Sequence, residues 1–381
     1  MKIWANSGDS HLVEPADIFT SRMPKDLAER MPRSEKDPDG SHETLYLDGQ
    51  VIRRAMMRAT ELKDENGLTV EQRAPGANDM RLRLKDLDQE GIWAELVYPS
   101  IGIWMSSIRD PKLLAAGCAA INDWAIEYQR FSPRYVCTAT IPLLDAEHAV
   151  PEIQRAADLG FKAAYFSVTP GLGARDWHYT DDWEPVWSAI EETGLVIAFH
   201  IGTEAHDATT YHGSYYRGPG GTILNYMETT YGGQRAVTKM IASGVFDRHP
   251  GIKAMVSEGG ATWGPFVADR LDEAYRQHSS MVRPQLRRLP SEYLYENVYA
   301  SFQHDRSAVK AATAMGWRNV CWGSDYPHIE GTYGHTQKTL HELFDDLAEG
   351  DLRRITVGAF EEMFPHVPPA PANGTEVPGE S

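Results

Sequence analysis

The stretch "TDDWEPVWSAIEETGLVIAFH" (residues 180–200) decides how the rest of the chain is read. Its first part is amphipathic at helical spacing and stops at Gly194, the residue type that ends helices most easily. "GLVIAFH" then runs as a short apolar, β-rich segment, the pattern of a strand buried on both faces. His200 stands at its far end. The same pairing recurs on either side. Downstream come "GIKAMVSE" (251–258), "NVYASFQ" (297–303) and "NVCWGSD" (319–325). Upstream come "FKAAYFSV" (161–168), "RYVCTATIP" (134–142), "AELVYPS" (94–100) and the opening "KIWANSGD" (2–9). Helical segments lie between them. Val150, Ile153 and Ala157, and again Phe266, Val267 and Leu271, keep the clearest spacing, with Gly160 and Gly316 as further stops. Strand and helix alternating eight times predict an α/β fold, a (β/α)8 TIM-like barrel. A doubly wound open sheet is the rival, but no Gly-x-Gly-x-x-Gly follows the first strand.

The domain organisation follows. Residues 1–365 are expected to form one barrel domain, with 20–79 an insertion or flap after the first strand. Inside it, "ETLYLDGQVIRR" (43–54) reads as a hairpin turning at Asp48-Gly49. "EAHDATTYHGSYYRGPGG" (204–221) reads as a mobile loop, and the proline-rich tail 366–381 as disordered. Of 381 residues, 42% are apolar and 24% charged, ordinary for a globular protein, and the net charge of −17 argues against nucleic acid or an anionic membrane as partner. Cys118, Cys137 and Cys321 are odd in number and far apart, which suits a reducing compartment rather than a disulfide framework. With no signal-peptide layout in residues 1–10 and no apolar run of spanning length, a cytoplasmic location is expected.

Barrel active sites lie at the C-terminal ends of the strands. There the sequence places Asp9 and His11, His200, Glu258, His304 and Asp325. Residues i and i+2 of a strand share a face, so Asp9 and His11 are expected to project together. Imidazoles and carboxylates gathered at one mouth suit zinc, manganese or iron as cofactor. A bound divalent ion lowers the pKa of water and polarises a carbonyl or carboxylate oxygen. The substrate-facing groups are less marked. Arg58 and Arg217 are candidates to pair with a carboxylate, as are Arg53, Arg54 and Arg73. Trp263 is a candidate wall of a substrate pocket, with Trp93, Tyr98, Trp104, Tyr165 and Phe166.

These residues carry a family resemblance. "DSHLVEPADIF" (9–19), "RLKDLDQEGIWAELVYP" (83–99), "FH" (199–200), "SEGGATW" (257–263), "SFQHDR" (301–306) and "GSDYPH" (323–328) resemble the amidohydrolase superfamily. The likeness is to its amidohydrolase-related branch, which includes aromatic-acid and aminocarboxymuconate semialdehyde decarboxylases. The resemblance implies a barrel with one catalytic divalent metal on Asp9, His11, His200 and Asp325, and a homodimer. It also shows a departure: many relatives have a histidine where this chain has Glu258. Glu258 can then be a general base, or join His304 and His328 at a second metal. Asp325 is expected both to hold the metal and to move a proton. Hydrolysis of a small organic substrate, aromatic or carboxylate-bearing, is the leading expectation. Non-oxidative decarboxylation is the alternative, followed by a dinuclear iron or manganese oxygenase and a non-catalytic subunit with a structural metal.

Overall fold

Eight parallel strands make one sheet in the computed structural model of the protein, which describes residues 1–38, 42–55, 74–205, 216 and 218–375. They are β1 (Ala5–Leu12), β5 (Ile92–Pro99), β6 (Tyr135–Thr140), β7 (Ala163–Phe166), β8 (Val196–His200), β9 (Ala254–Ser257), β10 (Val298–Phe302) and β11 (Val320–Trp322), hydrogen-bonded in that order. Between β1 and β5 lies a separate antiparallel sheet of β2 (Arg33–Lys36), β3 (Glu43–Leu47) and β4 (Gln50–Ala55). The expected (β/α)8 barrel is therefore present. It closes where β1, from Ser7 to His11, meets the segment after β11. There Asp325 N donates to Asp9 O at 2.9 Å, His11 N to Tyr326 O at 2.6 Å, and Ser324 N to Ser7 Oγ at 2.8 Å.

The helices end as their sequences dictate. Thr180–Thr193 and Ala146–Leu159 are each capped by a left-handed glycine, Gly194 and Gly160, a conformation that costs other residues their Cβ clearance. Their apolar faces pack on the outside of the barrel. Phe166, Trp177, Trp183 and Trp187 form one aromatic group there, with centroid separations from 4.8 Å to 6.1 Å. Inside the barrel a second core forms from inward residues such as Leu96, Val136, Ala198, Met255 and Cys321, plugged from below by Phe360, Met363 and Phe364. Gly8 on β1 faces this interior: a Cβ there would stand 2.8 Å from the Met255 methyl carbon. The strand can pass so close only without a side chain.

The Asp48-Gly49 turn joins β3 to β4 as read, with both residues at positive φ (49° and 74°). The tail differs in part from expectation. Residues 366–375 are held: Trp4 N donates to Asn373 Oδ1 and Trp4 Nε1 to Thr375 O, both at 2.9 Å, while Trp93 Nε1 donates to Pro368 O at 2.6 Å. Tryptophan donors at the bottom of the barrel fix a segment whose composition alone suggests no structure. Residues 376–381 and most of the 204–221 loop lie outside the described residues. Among the described residues, no helix is long and apolar enough to cross a membrane.

Candidate metal centre

β1 delivers two of the candidate ligands. It runs later than the sequence suggested, so "ANSGDSHL" is the strand and every residue of it is buried. An extra residue against β5 between Ser7 and Ser10 makes a bulge, a device that re-aims side chains beside active sites. His200 ends β8. Glu258 directly follows β9, and Asp325 follows β11; both adopt left-handed backbone, at φ 61° and 53°. Non-glycine residues held in that region cost about 1–3 kcal/mol each and cluster at functional sites.

Their side-chain tips converge. His11 Nε2 and His200 Nε2 stand 3.0 Å apart. Asp9 Oδ1 lies 3.5 Å from His200 Nε2 and 3.9 Å from His11 Nε2, and Asp325 Oδ1 lies 3.4 Å from His11 Nε2. Glu258 Oε2 is 3.3 Å from His200 Nε2, and His328 Nδ1 is 2.9 Å from Asp325 Oδ1. Three overlapping sets result, each with ligand atoms within 4.8 Å of one another: Asp9, His11 and His200; His11, Asp325 and His328; Asp9, Glu258 and Asp325.

The set fits a divalent cation. Both oxygens of Asp9 and Oδ2 of Asp325 are buried without a hydrogen-bond partner among the described residues, an arrangement costly unless a cation satisfies them. Two nitrogens on one ion with bonds of about 2.1 Å stand roughly 3.0–3.4 Å apart, which is the separation of the two Nε2 atoms. The orientation of His200 is fixed from behind, since its Nδ1 lies 2.9 Å from Ile201 O and donates there, which in the neutral ring puts the lone pair on Nε2.

Electrostatics separates the two acidic groups that flank the imidazoles. Burial, followed by the Asp325 charge, pushes the Glu258 carboxyl well above its usual range. Burial would raise Asp325 as well, but His328 and His11 outweigh it and hold that carboxyl below its usual range. Burial also pulls His11 down to about 3, so it is neutral. His200 goes the other way: burial lowers it, but Asp9 and Glu258 prevail and lift it to about 9.

Not every candidate joins the cluster. His304 is exposed and its Nε2 lies 3.3 Å from Glu330 O, so it stands apart from the three ligand sets. Trp263 packs outside the barrel, its ring 5.1 Å from Trp317 and its indole N–H donated to Gly260 O at 2.8 Å. It pins the turn after Glu258 instead of walling the cluster. Tyr98 and Tyr165 do line the interior, 6.2 Å apart, with Tyr98 5.0 Å from the His200 ring. Arg58, Arg73 and Arg217 lie outside the described residues; Arg53 and Arg54 are on β4.

Glu14 had no assigned role in the sequence reading, yet its buried carboxylate accepts the backbone N–H groups of Ser100, Ile101 and Gly102 at 2.9–3.1 Å, fixing the loop after β5. A carboxylate three residues beyond His11 at a strand end was the available signal.

Comparisons with known proteins bear on the family and the fold. Over 255 residues (64% of this chain, 76% of the relative) the sequence is 25% identical to a gamma-resorcylate decarboxylase of Rhizobium radiobacter. The fold matches the crystal structure of an amidohydrolase from Mycobacterium avium subsp. paratuberculosis K-10 with a TM-score of 0.78, at 21% identity over 95% of this chain and 99% of that one. It also matches a dihydroxybenzoic acid decarboxylase from Polaromonas sp. JS666, solved with bound manganese and 2-nitroresorcinol, with a TM-score of 0.64 at 18% identity over 96% and 97% of the two chains. The amidohydrolase family profile covers residues 84–365, from the helix before β5 to the last helix, and the chain therefore belongs to the amidohydrolase family.

Proposed function

We propose that the protein is a metal-dependent, non-oxidative decarboxylase of a small aromatic carboxylic acid. The observation that carries this is the overlap of three candidate ligand sets at the C-terminal mouth of the barrel, in which Asp9, His11 and Asp325 are each shared and His200 and Glu258 stand beside them. The expectation from sequence placed hydrolysis first. Similarity to a gamma-resorcylate decarboxylase supports the alternative better, and so does the state of Glu258.

Asp9, His11, His200 and Asp325 would hold the ion, which when bound supplies positive charge to bind and polarise a substrate carboxylate and an adjacent hydroxyl. The protein's own groups do the remaining work. Loss of CO2 breaks the bond from ring carbon to carboxylate and leaves the electron pair on that carbon, which must then take a proton. Glu258, whose carboxyl is pushed well above its usual range by burial and then by the Asp325 charge, is suited to give that proton. Asp325, kept ionised, is suited to ligation. Two carboxyl groups pushed in opposite directions divide the acid and ligand roles between them. Tyr98 and Tyr165 supply aromatic surface within the interior.

The test is direct. The metal-loaded protein is incubated without oxygen with a panel of hydroxybenzoates in deuterated water. Release of CO2 with one deuterium at the carbon that lost it supports the reading; turnover only of esters or amides overturns it. A second reading, a dinuclear oxygenase, has one observation in its favour: Asp9, Glu258 and Asp325 bring three carboxylates within 4.8 Å. It requires two ions per chain and oxygen consumption, and elemental analysis with an oxygen electrode decides it.

A further inference from the structure

Arg83 is a fully buried arginine that the chemistry above does not use. It sits on the helix Met80–Glu90, and its guanidinium has two targets. Nε and Nη2 donate to the two carboxylate oxygens of Glu95 on β5, and Nη1 donates to the backbone carbonyl of His11 at 2.8 Å. The guanidinium also lies over the Tyr326 ring, 4.7 Å from its centroid. Tyr326 is itself tied down: its hydroxyl donates to Asp86 Oδ2 at 2.6 Å, and the same oxygen accepts Gly76 N–H at 2.8 Å. One buried cation therefore touches the backbone of His11 on one side and the neighbour of Asp325 on the other.

Those two residues are the opposite lips of the seam where the barrel closes. Elsewhere neighbouring strands share a ladder of several paired residues, but here the pairing is a single bridge, Ser10 with Tyr326. The His11 Nε2 to Asp325 Oδ1 distance of 3.4 Å is measured across this thinly bonded seam. A planar guanidinium that forks onto a carboxylate and stacks on a ring holds its neighbours in one geometry, which a flexible lysine cannot do. Burying such a pair is poor value for stability compared with apolar packing, so a role in geometry accounts for it better.

We infer that Arg83, braced by Glu95 and Tyr326, is a positioning residue that sets the spacing of His11 and Asp325 across the seam, and through it the affinity and ligand geometry of the metal centre. This rests on the metal-centre reading. The test titrates Co2+ into metal-free wild type, Arg83→Lys, Tyr326→Phe and Ile153→Ala, following the visible absorption of the bound ion and its Kd. Ile153 is buried in the outer core on the helix Ala146–Leu159 and controls for loss of stability alone.

Tyr326→Phe is expected to fold with a wild-type circular dichroism spectrum, to weaken Co2+ about ten- to hundredfold, as changes behind ligands do, and to shift the absorption bands. Arg83→Lys goes further in the same direction. Ile153→Ala loses melting temperature but keeps wild-type bands and Kd. Folded Tyr326→Phe and Arg83→Lys with wild-type bands and Kd overturn the positioning role while leaving the metal centre standing. The same holds if Ile153→Ala shifts the bands equally. If Arg83→Lys does not fold, Tyr326→Phe decides alone. A wild type that takes up no Co2+ overturns the metal-centre reading and this inference with it.

Discussion

Metal affinity should rise steeply with pH, because the ion must displace a proton from His200. In the metal-free protein burial lowers that imidazole, but Asp9 and Glu258 outweigh it and hold it at about 9. At pH 7 only about one molecule in a hundred then has a free lone pair on Nε2, a penalty of about 3 kcal/mol. Apparent affinity should therefore increase about tenfold per pH unit, or about 100-fold from pH 6 to pH 8. The sign for the metal-free fold is opposite. A histidine raised from 6.5 to about 9 lends stability that is complete below 6.5 and is lost as pH rises through 9, about 3 kcal/mol in all. Raising the pH should thus weaken the metal-free protein while tightening the ion. Calorimetric titration with Mn2+ or Zn2+ at pH 6, 7 and 8, in buffers of different ionisation enthalpy, reads both the Kd and the protons released. At least one proton per ion is expected, and His200→Gln should flatten the slope by one power of ten per unit. An affinity that is flat between pH 6 and pH 8 would refute the charge arrangement argued here.

Four other outcomes can be checked. Asp325→Asn should bind the ion roughly 10- to 100-fold more weakly and lose most of its CO2 release, measured by calorimetry and a coupled CO2 assay, because the amide that replaces the carboxylate beside His11 carries no negative charge. Chelation should lower the melting temperature by about 5 °C, since saturation at 1,000 times Kd is worth about 4.1 kcal/mol and a chain of this length melts with an entropy of roughly 0.8 kcal/mol/K; differential scanning fluorimetry with EDTA reads it. Glu14→Ala leaves three backbone N–H groups without their acceptor, and should cost about 2–4 kcal/mol in urea denaturation while raising KM more than it lowers kcat. Gly8→Ala forces a methyl group against Met255, with an expected loss of about 1–3 kcal/mol in the same assay.

Which parts of this protein could be read from its sequence follows from where each signal resides. The barrel was legible because parallel strands are buried on both faces, so "LVIAF" (195–199) and "KAMVS" (253–257) read as apolar runs between helices. β1 was legible only in outline. Its residues "NSGDSH" (6–11) are polar yet buried, because here the strand faces the seam and the mouth instead of a lipid-like core, and hydropathy therefore misplaced its ends. The positions of the candidate ligands were legible because they are single residues at strand ends, a place the fold defines in advance.

The supporting layer was not legible, for a physical reason. Arg83 on a helix and Glu95 in a strand each look like an ordinary charged residue in the linear pattern. Their meaning is pairwise: both are fully buried, and each is tolerable there only because the other neutralises it. The same holds for the tail, whose fixed residues 366–375 are held by donors on Trp4 and Trp93, far away in sequence. Glu258 shows the distinction most sharply. Its position could be read from the strand pattern, but the upward push on its carboxyl could not, since that depends on its burial and then on Asp325 being close enough to repel a second charge. Replacing Asp325 with asparagine should therefore lower the Glu258 pKa while burial still holds it up. The basic limb of the pH profile of residual CO2 release should then move to lower pH. If that limb stays in place, the two carboxyl groups do not share the work in the way their surroundings indicate.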